Sequence, residues 1–229
     1  MSILNIKRIF LLLFFLTIFS FYFFNIDYFF TLQFLKENNF LLIEYVNQNF
    51  FSSILFFYLL FLILIFFFLP LTSVMVIFSS YLFGTLITIF LSILIVTLGG
   101  VSNVFLLNKI TFNKIFVKAE ELSKKIKNKI EKNELQYCIL LRFVPMPFII
   151  QNAILVLLKI SKIKFIISTS LGIAPYIVIY SLAGFKLKEL INLNNEIKME
   201  NIINYENFFI LIFLIFLIFL SMYFKKKIN

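Results

Sequence analysis

The chain contains no histidine and only one cysteine, Cys138. The first absence removes the commonest general base and metal ligand near neutral pH. The second excludes an internal disulfide and a thiolate metal site. Arginine is scarce as well: Arg8 and Arg142 are the only two among 21 basic residues. No aspartate or glutamate lies between Glu44 and Glu120, so that stretch offers a cation no carboxylate. No phosphate-cradling glycine loop, metal cluster or nucleophile–base set is visible, and neither enzyme activity, cofactor nor metal is expected.

What is present is apolar side chain. Hydrophobic residues fill 62% of 229 positions, with a mean hydropathy of +1.04. A soluble domain of this size cannot hide that much apolar surface, so lipid must be the solvent. In hydrocarbon every backbone polar group needs an internal partner, which leaves helices or closed barrels. The apolar runs are long and lack the alternation of barrel strands, so the expected class is an all-α, polytopic membrane protein. The 35 Phe and 19 Lys look like compositional bias, and no single Phe or Lys carries weight on that ground. The net charge of +10 is clustered beside apolar runs, where it sets orientation and attracts anionic headgroups; nucleic acid is not an expected partner.

Six apolar regions run roughly over 9–30, 50–83, 85–107, 137–158, 165–185 and 208–224. Lys7 and Arg8 precede the first, and no small-residue cleavage site follows it, so an uncleaved anchor helix is expected. Residues 31–49 carry one Lys and two Glu; residues 108–136 carry eight Lys against four Glu. The link 159–164 carries Lys159, Lys162 and Lys164, and the tail ends in Lys225, Lys226 and Lys227. The excess of basic residues on cytoplasmic loops satisfies every cluster only if 50–83 and 137–158 each return to their own side. Two full crossings within 50–83 would preserve the same parity. Both termini are then cytoplasmic, at the inner (plasma) membrane, and 31–49 and 186–207 are external.

Both returning regions contain proline where a turn is needed: Pro70 in the first, Pro145 and Pro147 in the second. Proline removes a backbone donor and disfavours helix in the preceding residue. The pattern predicts two inverted, re-entrant hairpin-plus-helix repeats (50–107 and 137–185), an architecture typical of membrane carriers. The core is 50–185, flanked by an anchor and external segment (1–49) and by an external loop with a last helix (186–229). Within 108–136, apolar residues from Phe112 to Ile130 recur at helical spacing opposite lysines. That helix lies either on an anionic leaflet or on the protein's own core.

The stretch Leu-Leu-Arg142-Phe-Val-Pro145-Met-Pro147-Phe, followed by Asn152, Lys159, Phe165, Gly172, Pro175, Tyr180 and Gly184, resembles the DedA (SNARE-associated, VTT-domain) superfamily. Ser-Tyr-Leu-Phe-Gly84 and Leu-Gly99-Gly100-Val-Ser-Asn-Val-Phe resemble its first half. The Pro-x-Pro form is most similar to the Tvp-type branch. The resemblance covers about 50–185 and implies facing re-entrant hairpins and movement of lipids between leaflets. The chain departs from the pattern at Phe148, where many bacterial members have a second arginine, and at Ser80 and Val156, where glycine is usual. The acid often found in the first hairpin is missing, so proton coupling through such carboxylates is not expected.

Arg142 is the sharpest candidate, since a charge at membrane depth costs about 2.5–3.5 kcal/mol even on the lenient insertion scale. It either caps backbone carbonyls at the hairpin break or binds an anionic headgroup. With Asn103 and Asn152, both polar groups at membrane depth, it forms the candidate lipid-binding set. The asparagines also suit interhelical hydrogen bonding. Pro70, Pro145, Pro147 and Pro175, with Gly84, Gly99, Gly100, Gly172 and Gly184, are expected to serve hairpin breaks and close packing. The expected activity is movement of phospholipid or a lipid-linked phosphate between leaflets. A small-solute or ion carrier, or a non-transporting membrane organiser, would use the same frame.

Overall fold

The computed structural model describes residues 31–109, 119–121, 123–124, 133–144 and 146–192. The expected helices at 9–30 and 208–224, most of the Lys-rich segment and Pro145 lie outside the described residues. Helix dominates what is described, in seven elements: α1 (Leu32–Gln48), α2 (Phe50–Phe66), α3 (Thr72–Phe83), α4 (Thr85–Lys109), α5 (Glu134–Phe143), α6 (Phe148–Leu157) and α7 (Lys162–Asn192). No strand occurs among these residues. The protein is an all-α membrane protein.

Length sorts the helices. Thr85–Leu107 and Lys162–Asn192 are long and apolar enough to cross a bilayer. At 1.5 Å per residue, the ten-residue α5 and α6 reach about 15 Å each, half of a hydrocarbon core of about 30 Å. Neither can cross alone.

The second pair folds back on itself. Glu134, which opens α5, is bonded to Lys164 in the first turn of α7, just after α6 has ended. The pair therefore starts and finishes at one end of the bundle. The first pair does the same: Phe50, which opens α2, meets the ring of Phe83, which closes α3, with centroids 6.3 Å apart.

Helices α4 and α7 run antiparallel and connect the two hairpins. Ser181 donates to the Thr85 carbonyl at one end (3.2 Å), and the Thr97 and Ser170 hydroxyls meet midway at 3.0 Å. The base of the first hairpin thus lies at the Ser181 end of α7, and the base of the second at its Lys164 end. The two hairpins enter from opposite ends and their breaks meet between.

Special backbone geometry sits at the turns. Gly84 joins α3 to α4 with no linker at φ 87°, ψ 164°, a region open essentially only to glycine. Phe68 and Lys159 adopt left-handed φ of 60° and 54° where α2 and α6 end. In each case the next amide reaches back five residues, Leu69 to the Leu64 carbonyl (2.9 Å) and Ile160 to the Leu155 carbonyl (3.1 Å). These bonds satisfy carbonyls that a helix end leaves orphaned.

Two boundaries differ from the sequence reading. The segment 31–49, expected to be external, is largely helix α1, bent 109° from α2, so it lies across the base of the first hairpin. Leu35 of α1 packs with Phe78, Tyr81, Leu187 and Ile191. Helix α7 continues past 185 to Asn192 because Leu187 and Ile191 have that surface to bury. Pro175 lies inside α7, within the expected 165–185 helix, and is buried there; helices in membranes tolerate proline where neighbours supply packing. In the described part of the Lys-rich segment, Ala119 is buried with Leu107 and Cys138, against the protein's own core. Its neighbours Glu120 and Lys124 form an exposed pair at 2.8 Å; this hydrogen bond lowers the carboxyl pKa and raises that of the amine.

Candidate functional site

The breaks of the two hairpins enclose a cavity of about 270 Å³. Pro70, Thr72 and Ser73 come from the first break; Arg142, Met146, Phe148 and Gln151 from the second; Tyr176 and Tyr180 from α7. A smaller space of about 80 Å³ lies between Pro70 and Pro147, with Asn103 on its wall.

Arg142 sits in the last turn of α5 with only 3% of its surface exposed. Its Nη1 donates to Asn152 Oδ1 at 2.8 Å and to Gln151 Oε1 at 3.2 Å, and its Nη2 to Thr169 Oγ1 at 2.7 Å. The guanidinium carbon lies 4.9 Å from the Phe148 ring centroid and 5.2 Å from that of Phe165. Cation–π contacts of this kind contribute about 0.5–2 kcal/mol each. Every partner is neutral. A guanidinium has five N–H donors; three are used, and Nε–H is buried without a partner. The charge is solvated by protein dipoles yet compensated by no anion among the described residues.

This arrangement corrects one of the two roles open to Arg142. It caps no backbone carbonyl among the described residues; Gln151 does, donating to the Val144 carbonyl at 3.0 Å beside the break. Pro147 and Met146 leave that stretch of backbone without helical partners, and a side-chain amide at the start of α6 takes over. Gln151→Leu should cost about 1–3 kcal/mol, chiefly because it takes an acceptor from the buried guanidinium. Thermal unfolding in detergent measures this. An unchanged midpoint would mean that the Gln151 bonds contribute nothing net.

The three candidate lipid-binding residues do not form one cluster. Asn152 holds Arg142, and its own Nδ2 is buried without a partner. Asn103 lies apart, beside the two prolines, 1% exposed, its Oδ1 also unpartnered. Glycines make the close approaches. A Cβ at Gly172 would sit 2.6 Å from Arg142 Cβ, and one at Gly100 would sit 3.2 Å from the Phe148 ring and 3.4 Å from that of Phe165. Gly172 and Gly100 thus leave room for the guanidinium stem and for the two rings around it. Gln151, Thr169, Phe148 and Phe165 complete the site. The adjacent Gln151-Asn152 pair in an apolar run was the visible signal for the first; Thr169 and the phenylalanines carried none.

Two broken, inverted hairpins that meet between long antiparallel helices define a membrane protein of the re-entrant type, with its polar groups where the breaks converge. A sequence model of the VTT domain matches residues 69–186, and the chain belongs to this family, the DedA superfamily. The match begins at the first break and leaves α2 outside. No curated protein and no solved structure matches the chain.

Proposed function

We propose that the protein moves phospholipid, or a lipid-linked phosphate, between the leaflets without coupled energy input. One observation carries this reading: a buried guanidinium with no counter-anion among the described residues lines the cavity where the two breaks meet. A phosphate is the anion such a planar fork binds best, by two parallel charge-assisted bonds. The headgroup passes along the break residues while the acyl chains stay in the surrounding lipid. Purified protein in vesicles with a fluorescent lipid tests it by the rate at which external dithionite reaches the inner-leaflet label. Acceleration supports lipid movement. Flux of a small anion without lipid exchange would identify a solute carrier, and neither would identify a membrane organiser.

The orientation that suits this reading places the Lys159–Lys164 link inside and α1 outside, following the excess of basic residues. Cys138 is buried and is the sole cysteine, so Cys138→Ala gives a clean background. In cells, Asn38→Cys is expected to react with an impermeant maleimide and Lys162→Cys to stay unlabelled until the membrane is opened. Labelling of Lys162→Cys in intact cells overturns the orientation.

A further inference from the structure

A second cavity, of about 490 Å³, lies between the later part of α4, the end of α6 and the start of α7. Val101, Val104, Leu155 and Val156 form its walls, and Lys159 and Lys162 stand at its edge. Both lysines are exposed, and neither forms an ion pair with a described residue, whereas Lys164 is tied to Glu134. Beside it Ile163 is 71% exposed, as suits a side chain that meets lipid.

An apolar slot with two cations at its edge matches one kind of molecule. A phosphate would sit at the lysines and an acyl chain would cover the valines. A soluble anion would leave the walls bare, and a zwitterionic headgroup would bring its own cation to the lysines. Phe165 lines this slot, and its ring also faces the Arg142 guanidinium at 5.2 Å. Behind that pair, Phe148 and Arg142 line the central cavity. One aromatic side chain therefore stands between the two spaces.

We propose that this slot is a loading site for one anionic glycerophospholipid. Lys159 and Lys162 hold its phosphate, and Phe165 separates it from Arg142. The step from slot to central cavity rests on the lipid-moving function above; the binding site itself does not.

The chain has no tryptophan, so a single introduced one is an unambiguous reporter. Phe105→Trp stands at the slot, and Phe90→Trp, 72% exposed near the other end of α4, is the control. Each full-length variant is reconstituted in phosphatidylcholine vesicles containing a fixed fraction of brominated phosphatidylglycerol or brominated phosphatidylcholine. The Phe105→Trp signal should be quenched preferentially by the anionic lipid, with a relative affinity on the order of tenfold for two lysines near the surface. The control should show no preference. Lys159→Gln with Lys162→Gln should reduce the slot preference to the control level, with circular dichroism unchanged. Equal quenching by the two lipids at Phe105→Trp, or a preference that survives the double substitution, overturns the site. The dithionite assay on the same vesicles separates the two ideas. Lysine-dependent preference without lipid movement keeps the site and sinks the transport function; movement without preference sinks the site alone.

Discussion

Gly184→Ala is expected to be recovered mostly as aggregate, and any soluble fraction to melt on the order of 10 °C below the parent. The reason lies in a close approach of α7 to the backbone of α3. A Cβ at Gly184 would fall inside the van der Waals radius of the Ile77 backbone carbonyl and 2.9 Å from Ser80 Cβ. Ser80 donates to the Ser181 carbonyl at 2.5 Å, and Ser181 donates to the Thr85 carbonyl, so α3, α4 and α7 are joined at this point. Lipid gives helices no hydrophobic reason to associate, and small residues that let backbones touch supply much of the attraction. Overpacking typically costs 1–3 kcal/mol; here the obstructing atom is backbone and cannot rotate away, so about 3 kcal/mol is expected. Gly99→Ala is the contrast. Its Cβ would meet the side chain of Ile65 rather than backbone, an obstruction that a second substitution removes, so Ile65→Ala should make the double variant less costly than the sum of the singles. A Gly184→Ala protein that is monodisperse with the parent's melting midpoint would show that α3 and α7 do not pack as described.

The helical class and the break points were legible in the sequence because both rest on local chemistry. Long apolar runs allow little but helix in lipid, and Pro70 and Pro147 stand at the breaks themselves. The return of the second hairpin followed from where lysines cluster, and the Glu134–Lys164 bond places its two ends together. Helix α1 was harder to see, since Asn38, Asn39, Glu44 and Gln48 interrupt its apolar pattern. Its burial depends on Leu187 and Ile191, which are 150 residues away in the chain. The partners of Arg142 were hidden for a related reason. An arginine in an apolar run prompts a search for an acid, and here the search finds none. Three neutral side chains and two rings from α6 and α7 share the task. Phe148 illustrates the exchange: at the position where the resembled family often has a second arginine, a ring faces the guanidinium and adds no second buried cation.

Arg142→Ala should reduce lipid movement at least tenfold in reconstituted vesicles, and Arg142→Lys should fall between it and the parent. The guanidinium meets only neutral partners, and its Nε–H is buried and unsatisfied. Hydrogen bonds to a charged group contribute about 1.5–3 kcal/mol, which corresponds to roughly ten- to a hundredfold in rate if they form as a phosphate crosses the cavity. Lysine keeps a charge but loses the planar fork, and its ammonium cannot reproduce the geometry that meets Gln151, Asn152 and Thr169 together. Alanine removes the charge and strands three acceptors, so stability will drop as well. Arg142→Gln serves as the control for that loss, since it retains an amide donor near the same acceptors while carrying no charge. Three outcomes are distinguishable once the melting midpoint of each variant is known. Slow movement in Arg142→Gln with a midpoint near the parent's assigns the effect to the cation. Slow movement only in variants with depressed midpoints assigns it to packing at the break. Parent-like movement in a folded Arg142→Gln would make Arg142 a structural clamp, and the phosphate would then have to cross by another path.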